Sequence, residues 1–102
     1  PTGYGFLGSG EGMKVIQQIG GLLALNDAEE IKKGCRGADV LRLISGGVPV
    51  MHLEVDRERY FWFHHTHADT IDKLDRNEFN QCVASMAVMA YVAADLPQPV
   101  PR

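Results

Sequence analysis

The stretch from Asp75 to about Asp95 constrains this chain most, because it reads as a helix with more apolar surface than a small domain can cover. Asp75 and Glu78 stand at capping-box spacing. Behind them Phe79, Cys82, Val83, Met86, Ala87, Ala90, Ala93 and Ala94 form a continuous stripe at three- and four-residue intervals. Val88, Met89 and Val92 make the flanks of the stripe apolar too, so the helix is expected to lie deep against a sheet or other helices. The methionines read as core filler rather than metal ligands. Pro97, Pro99 and Pro101 end the helix and leave an extended tail. A chain of 102 residues supports one core at most.

The remaining sequence alternates between helical and extended patterns. Pro1 to Gly10 contains four glycines and reads as a loop, with Ser9 a candidate cap for the next helix. From Glu11 to about Leu25, Met13, Ile16, Ile19, Leu22 and Leu23 recur at helical spacing, and Gly20-Gly21 weakens that helix near its end. Glu30 to Cys35 suits a short edge strand. Asp39 is placed to cap a short helix through Val40, Leu41, Leu43 and Ile44, which Gly46-Gly47 would end. Val48 to Val55 reads as a strand with Pro49 near its start. Asp56 to Asp75 is a long connection rich in histidine and aromatics, and long loops in small domains are usually functional. This order describes a layered α/β unit spanning residues 1–102. Two strands make too small a sheet for such apolar helices, so the chain reads as one part of a domain whose N-terminal half lies elsewhere.

Composition narrows the function classes. Hydrophobic residues are 45%, charged residues 23% and the formal charge is -3, which leaves no basic surface for nucleic acid. No apolar run approaches the roughly 18 residues needed to cross a bilayer, and no basic, hydrophobic and cleavage regions follow one another at the N-terminus. Neither nucleic acid nor membrane is an expected partner. The start at Pro1-Thr2-Gly3, without Met, suggests a processed, truncated or excised polypeptide. Cys35 and Cys82 make no CxxC pair, which excludes a zinc-thiolate knuckle, and they read as structural thiols.

Chemistry concentrates in Tyr60-Phe61-Trp62-Phe63-His64-His65-Thr66-His67-Ala68-Asp69-Thr70, where three of the four histidines fall within four positions. Neutral imidazole is the commonest zinc ligand, and a catalytic zinc takes three protein ligands with a position open for water. Spacing alone leaves two pictures open. On an extended segment His65 and His67 share a side, with Asp69 next in the row. Alternatively a single histidine binds, while its neighbours support it or line a substrate site. Packing among aromatics, with no metal at all, is the third reading, since the helical H-E-x-x-H geometry is absent.

His65-Thr66-His67-Ala68-Asp69-Thr70 resembles the H-T-x-x-D-T segment near the C-terminus of the co-catalytic zinc aminopeptidases, and Tyr60 to His65 resembles their plasma glutamate carboxypeptidase branch. Gly37-Ala38-Asp39, Gly47-Val48-Pro49 and an Asp-led amphipathic helix ending Ala94-Asp95 occur in the same order. The resemblance implies the C-terminal portion of a three-layer zinc-exopeptidase fold, in which two zinc ions share a bridging water and act on a peptide substrate. It makes His65 the metal ligand and gives His64 a role in stabilising the developing oxyanion. Asp69 and Thr70 become supports of the loop, and His67 and Tyr60 fall at the substrate cleft. A secreted, lysosomal or periplasmic setting is implied in the same way.

Other parts of the family pattern are missing. No H-x-D segment is present, and Glu29-Glu30 lies in a polar stretch on the wrong side of the order, so the general base and the remaining ligands must come from elsewhere. Two functions are compatible with this pattern. In one, the parent protein is an exopeptidase to which this part gives one ligand and a wall of the cleft. In the other, the chain is a non-catalytic remnant that persists by oligomerising or by associating with a complementary chain.

Overall fold

In the computed structural model, which describes residues 1–56, 64–68 and 70–102, the glycine-rich N-terminal segment is the middle strand of a sheet and not a loop. Strand β1 (Gly3–Leu7) runs parallel to β2 (Ile31–Lys33) and antiparallel to β3 (Val50–Glu54), in the order β2-β1-β3. The glycines are there because neighbouring chain comes too close for a side chain. A Cβ on Gly5 would lie 2.4 Å from Cε1 of His52 and 2.5 Å from the Gly34 carbonyl oxygen. Between these glycines, Tyr4 and Phe6 alternate onto one face and are each 1% exposed. Local composition signals a turn, but tertiary packing decides otherwise.

The Tyr4 and Phe6 face meets helix α1 (Gly10–Gly20) and the 3-10 turn Gly21–Asn26 that continues it, through Ile16, Ile19 and Leu23. Burying Phe6, Ile16 and Leu23 contributes roughly 1.5–3 kcal/mol each. The expected cap is present, with Ser9 Oγ accepting from the Gly12 amide at 3.0 Å. The same hydroxyl donates to the Pro101 carbonyl at 2.9 Å, so the proline tail returns to the start of α1. The tightening to 3-10 at Gly21 ends the regular helix five residues before the periodicity does and leaves Leu22 63% exposed.

Helix α2 (Leu41–Ser45) comes after a 3-10 turn, Ala38–Val40, and this corrects the expectation for Asp39. Asp39 sits inside that turn and caps nothing, because the chain already turns at Gly37, whose φ is +145°. The other end is as expected. Gly47 takes φ +77°, its amide donates to the Ile44 carbonyl at 3.0 Å, and the Val48 amide donates to the Leu43 carbonyl at 3.0 Å, which is a Schellman ending.

Helix α3 (Arg76–Ala94) is capped by Asp75, which accepts from the Glu78 amide at 2.9 Å. Its seating differs from the expected stripe. Ser85 and Met89 are buried, and Val88, Val92 and Ala93 pack beside them, whereas Phe79, Val83 and Met86 are each about half exposed. The helix is turned so that its flank meets α1 and the 3-10 turn after it, and the three strands among the described residues leave the rest uncovered. The accessible surface of 7484 Å² exceeds the roughly 5,700 Å² expected of a compact monomer of this mass by about 1,800 Å². The α/β class is therefore as the sequence implies, a mixed sheet with helices and with much apolar surface left open. No described helix is long and apolar enough to cross a membrane.

Tyr4 also carries a polar cost. Its hydroxyl and that of Ser85 are buried without hydrogen-bond partners, and burial, with a smaller contribution from Cys82, pushes the phenol up to about 12. Cys35 and Cys82 are free thiols.

Gly5→Ala is expected to destabilise the chain by about 2 kcal/mol or more, since the new methyl group must displace backbone at Gly34 as well as the His52 ring. Gly10→Ala, at a position with open space, should leave the stability measured by urea unfolding within about 0.5 kcal/mol of the wild type.

Candidate metal-binding loop

The backbone fixes where the clustered histidines can point. Residues 64–68 form turns and bends, so the shared side expected of His65 and His67 on an extended segment is not formed. His65 has φ +56°, in the left-handed region that side chains with a Cβ avoid. Asp27, at φ +54°, is the only other described non-glycine residue there. Holding such a conformation costs on the order of 1–3 kcal/mol and is met most often at functional sites.

Side-chain and backbone hydrogen bonds hold the turn. Thr66 Oγ1 accepts from the Ala68 amide at 3.2 Å, and the Thr70 amide donates to the Ala68 carbonyl at 2.9 Å. The Thr70 hydroxyl donates to the Asp72 carboxylate, whose other oxygen accepts from Lys73 Nζ at 3.1 Å. Asp72 lies in a 3-10 turn, Ile71–Lys73, whose last amide closes on the Thr70 carbonyl at 3.1 Å. The Thr70 hydroxyl, and after it Lys73, holds the Asp72 carboxyl below its ordinary value of 3.8. Thr70 thus ties the histidine turn to the segment that leads into α3.

His64 is half-buried, and its ring centroid lies 3.8 Å from that of His65 at an interplanar angle of 48°. His65, His67 and Thr70 are exposed. Tyr60 and Asp69, the other candidates, lie outside the described residues. Among the described residues no three His, Cys, Asp or Glu side chains converge to hold a metal ion. The described donors do not by themselves make up a complete zinc site.

The fourth histidine, which the sequence pattern does not single out, makes the best-defined polar contact of the sheet. His52 Nε2 lies 2.7 Å from Glu54 Oε1, and His52 Nδ1 accepts from the Arg36 amide at 3.2 Å. The ring protonated on Nε2 satisfies both. It holds residues 34–36 against the face of the sheet at Gly5, which makes the pair a structural clamp. The signal was available in the spacing, because positions i and i+2 of a strand share a face. Burial first, and then the Glu54 carboxylate, push the nearby Cys35 thiol above its ordinary range.

Thr70→Val should raise the Asp72 titration toward the ordinary carboxylate value, as read from carboxyl resonances in NMR. Because the folded value is depressed, the stabilisation is present above the unfolded pKa and is lost as pH falls through the folded one. The variant should therefore show a weaker loss of loop order on acidification.

Comparison with curated proteins gives carboxypeptidase Q. The chain is 35% identical to that protein of Rattus norvegicus, 34% to that of Homo sapiens and 32% to that of Xenopus laevis, in each case over all 102 residues. The aligned part is 22% of each relative, so the chain spans about a fifth of their length. No family model and no solved structure matches. From its first residue to its last, the chain belongs with carboxypeptidase Q-like proteins and corresponds to one part of them.

Proposed function

We propose that the protein to which this chain belongs is a zinc-dependent exopeptidase of the aminopeptidase or dipeptidase type, and that His65 is one of its metal ligands. The whole-length likeness to carboxypeptidase Q carries this reading. The left-handed backbone at His65 agrees with the choice of residue, since strained backbone clusters at functional sites.

In this reading the chain's residues have separate tasks. His65 offers one imidazole to the metal site. His64, half-buried with its ring against that of His65, has the task of donating toward an oxyanion that develops on the substrate. Thr70 holds the loop through Asp72, Asp69 supports it, and His67 and Tyr60 belong to the cleft where a peptide enters. Bound zinc, two ions in the complete enzyme, supplies an acidified water and polarises the scissile carbonyl. The general base and the other ligands come from the remaining four-fifths of the polypeptide. A secreted, lysosomal or periplasmic location goes with the family reading. The alternative, a non-catalytic piece that persists by association, rests on the exposed apolar flank of α3.

Zinc titration of the metal-dialysed chain tests the assignment. One histidine from a divided site should bind weakly, with a dissociation constant in the micromolar range or above, and His65→Ala should abolish what binding there is while His67→Ala leaves it. Equal loss in both variants would point to a paired-histidine site instead. Tight stoichiometric binding that survives His65→Ala would remove His65 from the metal.

A further inference from the structure

On the face of the sheet away from Tyr4 and Phe6, the ring of His52 and the carbonyl of Gly34 both come to Gly5, which has no side chain to keep them off. Beyond Gly34 the chain continues through Cys35 and Arg36, a two-residue strap with a glycine on each side. Gly34 stands at φ +111° and Gly37 at φ +145°, conformations open to glycine, so the strap has a pivot at each end. Both pivots are anchored. The Gly34 amide donates to the Phe6 carbonyl at 2.6 Å, and the Gly37 carbonyl accepts from the Val40 amide at 3.3 Å. The strap itself is tied to the sheet by the Arg36 amide, which donates to His52 Nδ1 at 3.2 Å, while the Cys35 thiol turns to the strap's own Arg36 carbonyl.

We infer that His52 and this strap form an acid-operated latch: a proton taken up at Nδ1 ends the Arg36 bond and lets residues 35–37 move off the sheet, while the ring stays on Glu54. The bond requires a lone pair on Nδ1. An imidazolium carries a hydrogen on both nitrogens, so in the charged ring two N–H groups would face each other. The other nitrogen is unaffected, since Nε2–H donates to Glu54 Oε1 at 2.7 Å in either form. The side chains of that pair are only 18% and 21% exposed, and the charge-assisted bond holds the protonated ring in place, so it is the strap that yields. Among the described residues, no other group facing the ring relieves the opposition. From β2, Lys32 lies across Gly5 and pairs with Glu30 at 3.7 Å, both side chains being well exposed. From β1 comes only Gly5, and from the strap the Arg36 amide and the Cys35 thiol, which burial and the Glu54 carboxylate keep protonated. Asp56 follows Glu54 beyond the end of β3. Histidine is the side chain whose charge ordinarily changes between about pH 5 and 8. The latch is closed above the titration of the ring and opens as pH falls through it. It is independent of the metal and peptidase readings.

The test follows the ring nitrogens of His52 and the hydrogen exchange of single amides in the same full-length chain by NMR, from about pH 8 to about pH 5. The protection of the Arg36 amide, corrected for its intrinsic exchange rate, should fall about fivefold or more in step with protonation at Nδ1. The Gly34 amide, on the anchored side of the pivot, should keep its protection. Glu54→Gln should leave the transition in place, because an amide oxygen also accepts from Nε2–H, and His52→Gln should abolish the pH dependence. An Arg36 amide that stays protected while the ring takes up its proton, a loss shared equally by Gly34, or a transition removed by Glu54→Gln would overturn the proposal. The first two outcomes are read in the wild-type chain and so do not depend on either variant folding.

Discussion

The burial of Tyr4 and Phe6 against Ile16, Ile19, Leu23 and Met89 organises everything else in this unit. It places β1 at the centre of the sheet, and the strand can occupy that place only because glycines alternate with the two aromatics. Gly5 leaves room for the His52 ring, which then bridges Glu54 and the Arg36 amide and so fixes the chain between β2 and α2. Gly12 lets the tail pass at Pro101, where Ser9 joins it to the start of α1. A single packing decision on one face thus sets the positions of the loops on the other.

This core is one-sided. The tail, α1 and one flank of α3 close over part of the sheet, while the other flank of α3 stays exposed and, among the described residues, the outer edge of β3 is unpaired. The histidine turn lies between β3 and α3 in the chain, so the segment with the candidate metal ligand joins the two elements that border the open seam. The proposed division of the metal site and the uncovered apolar surface of the sheet and α3 would then have one origin, in residues supplied from elsewhere in the parent protein.

Much of the fold is legible where the signal is local. The Ser9 and Asp75 caps, the glycine ending of α2 and the extents of β2, β3 and α3 depend on residues within a few positions of one another. Gly3 to Leu7 reads as a loop from sequence because its glycines answer to Glu30, Gly34 and His52, which are remote in the chain. The orientation of α3 is hidden for a related reason: with apolar residues on most sides, periodicity cannot say which flank finds a partner. At the site, the motif draws attention to His65, but its left-handed backbone has no mark in the composition. The His52 and Glu54 pair escapes notice because a single histidine in a strand usually means packing.

The most direct measurement is zinc K-edge X-ray absorption on the chain assembled with the remainder of rat carboxypeptidase Q and loaded with zinc. The account predicts that His65→Gln lowers the imidazole count at the metal by one, while His67→Gln leaves the spectrum unchanged. An unaltered spectrum in His65→Gln would contradict the assignment of this chain's histidine to the metal.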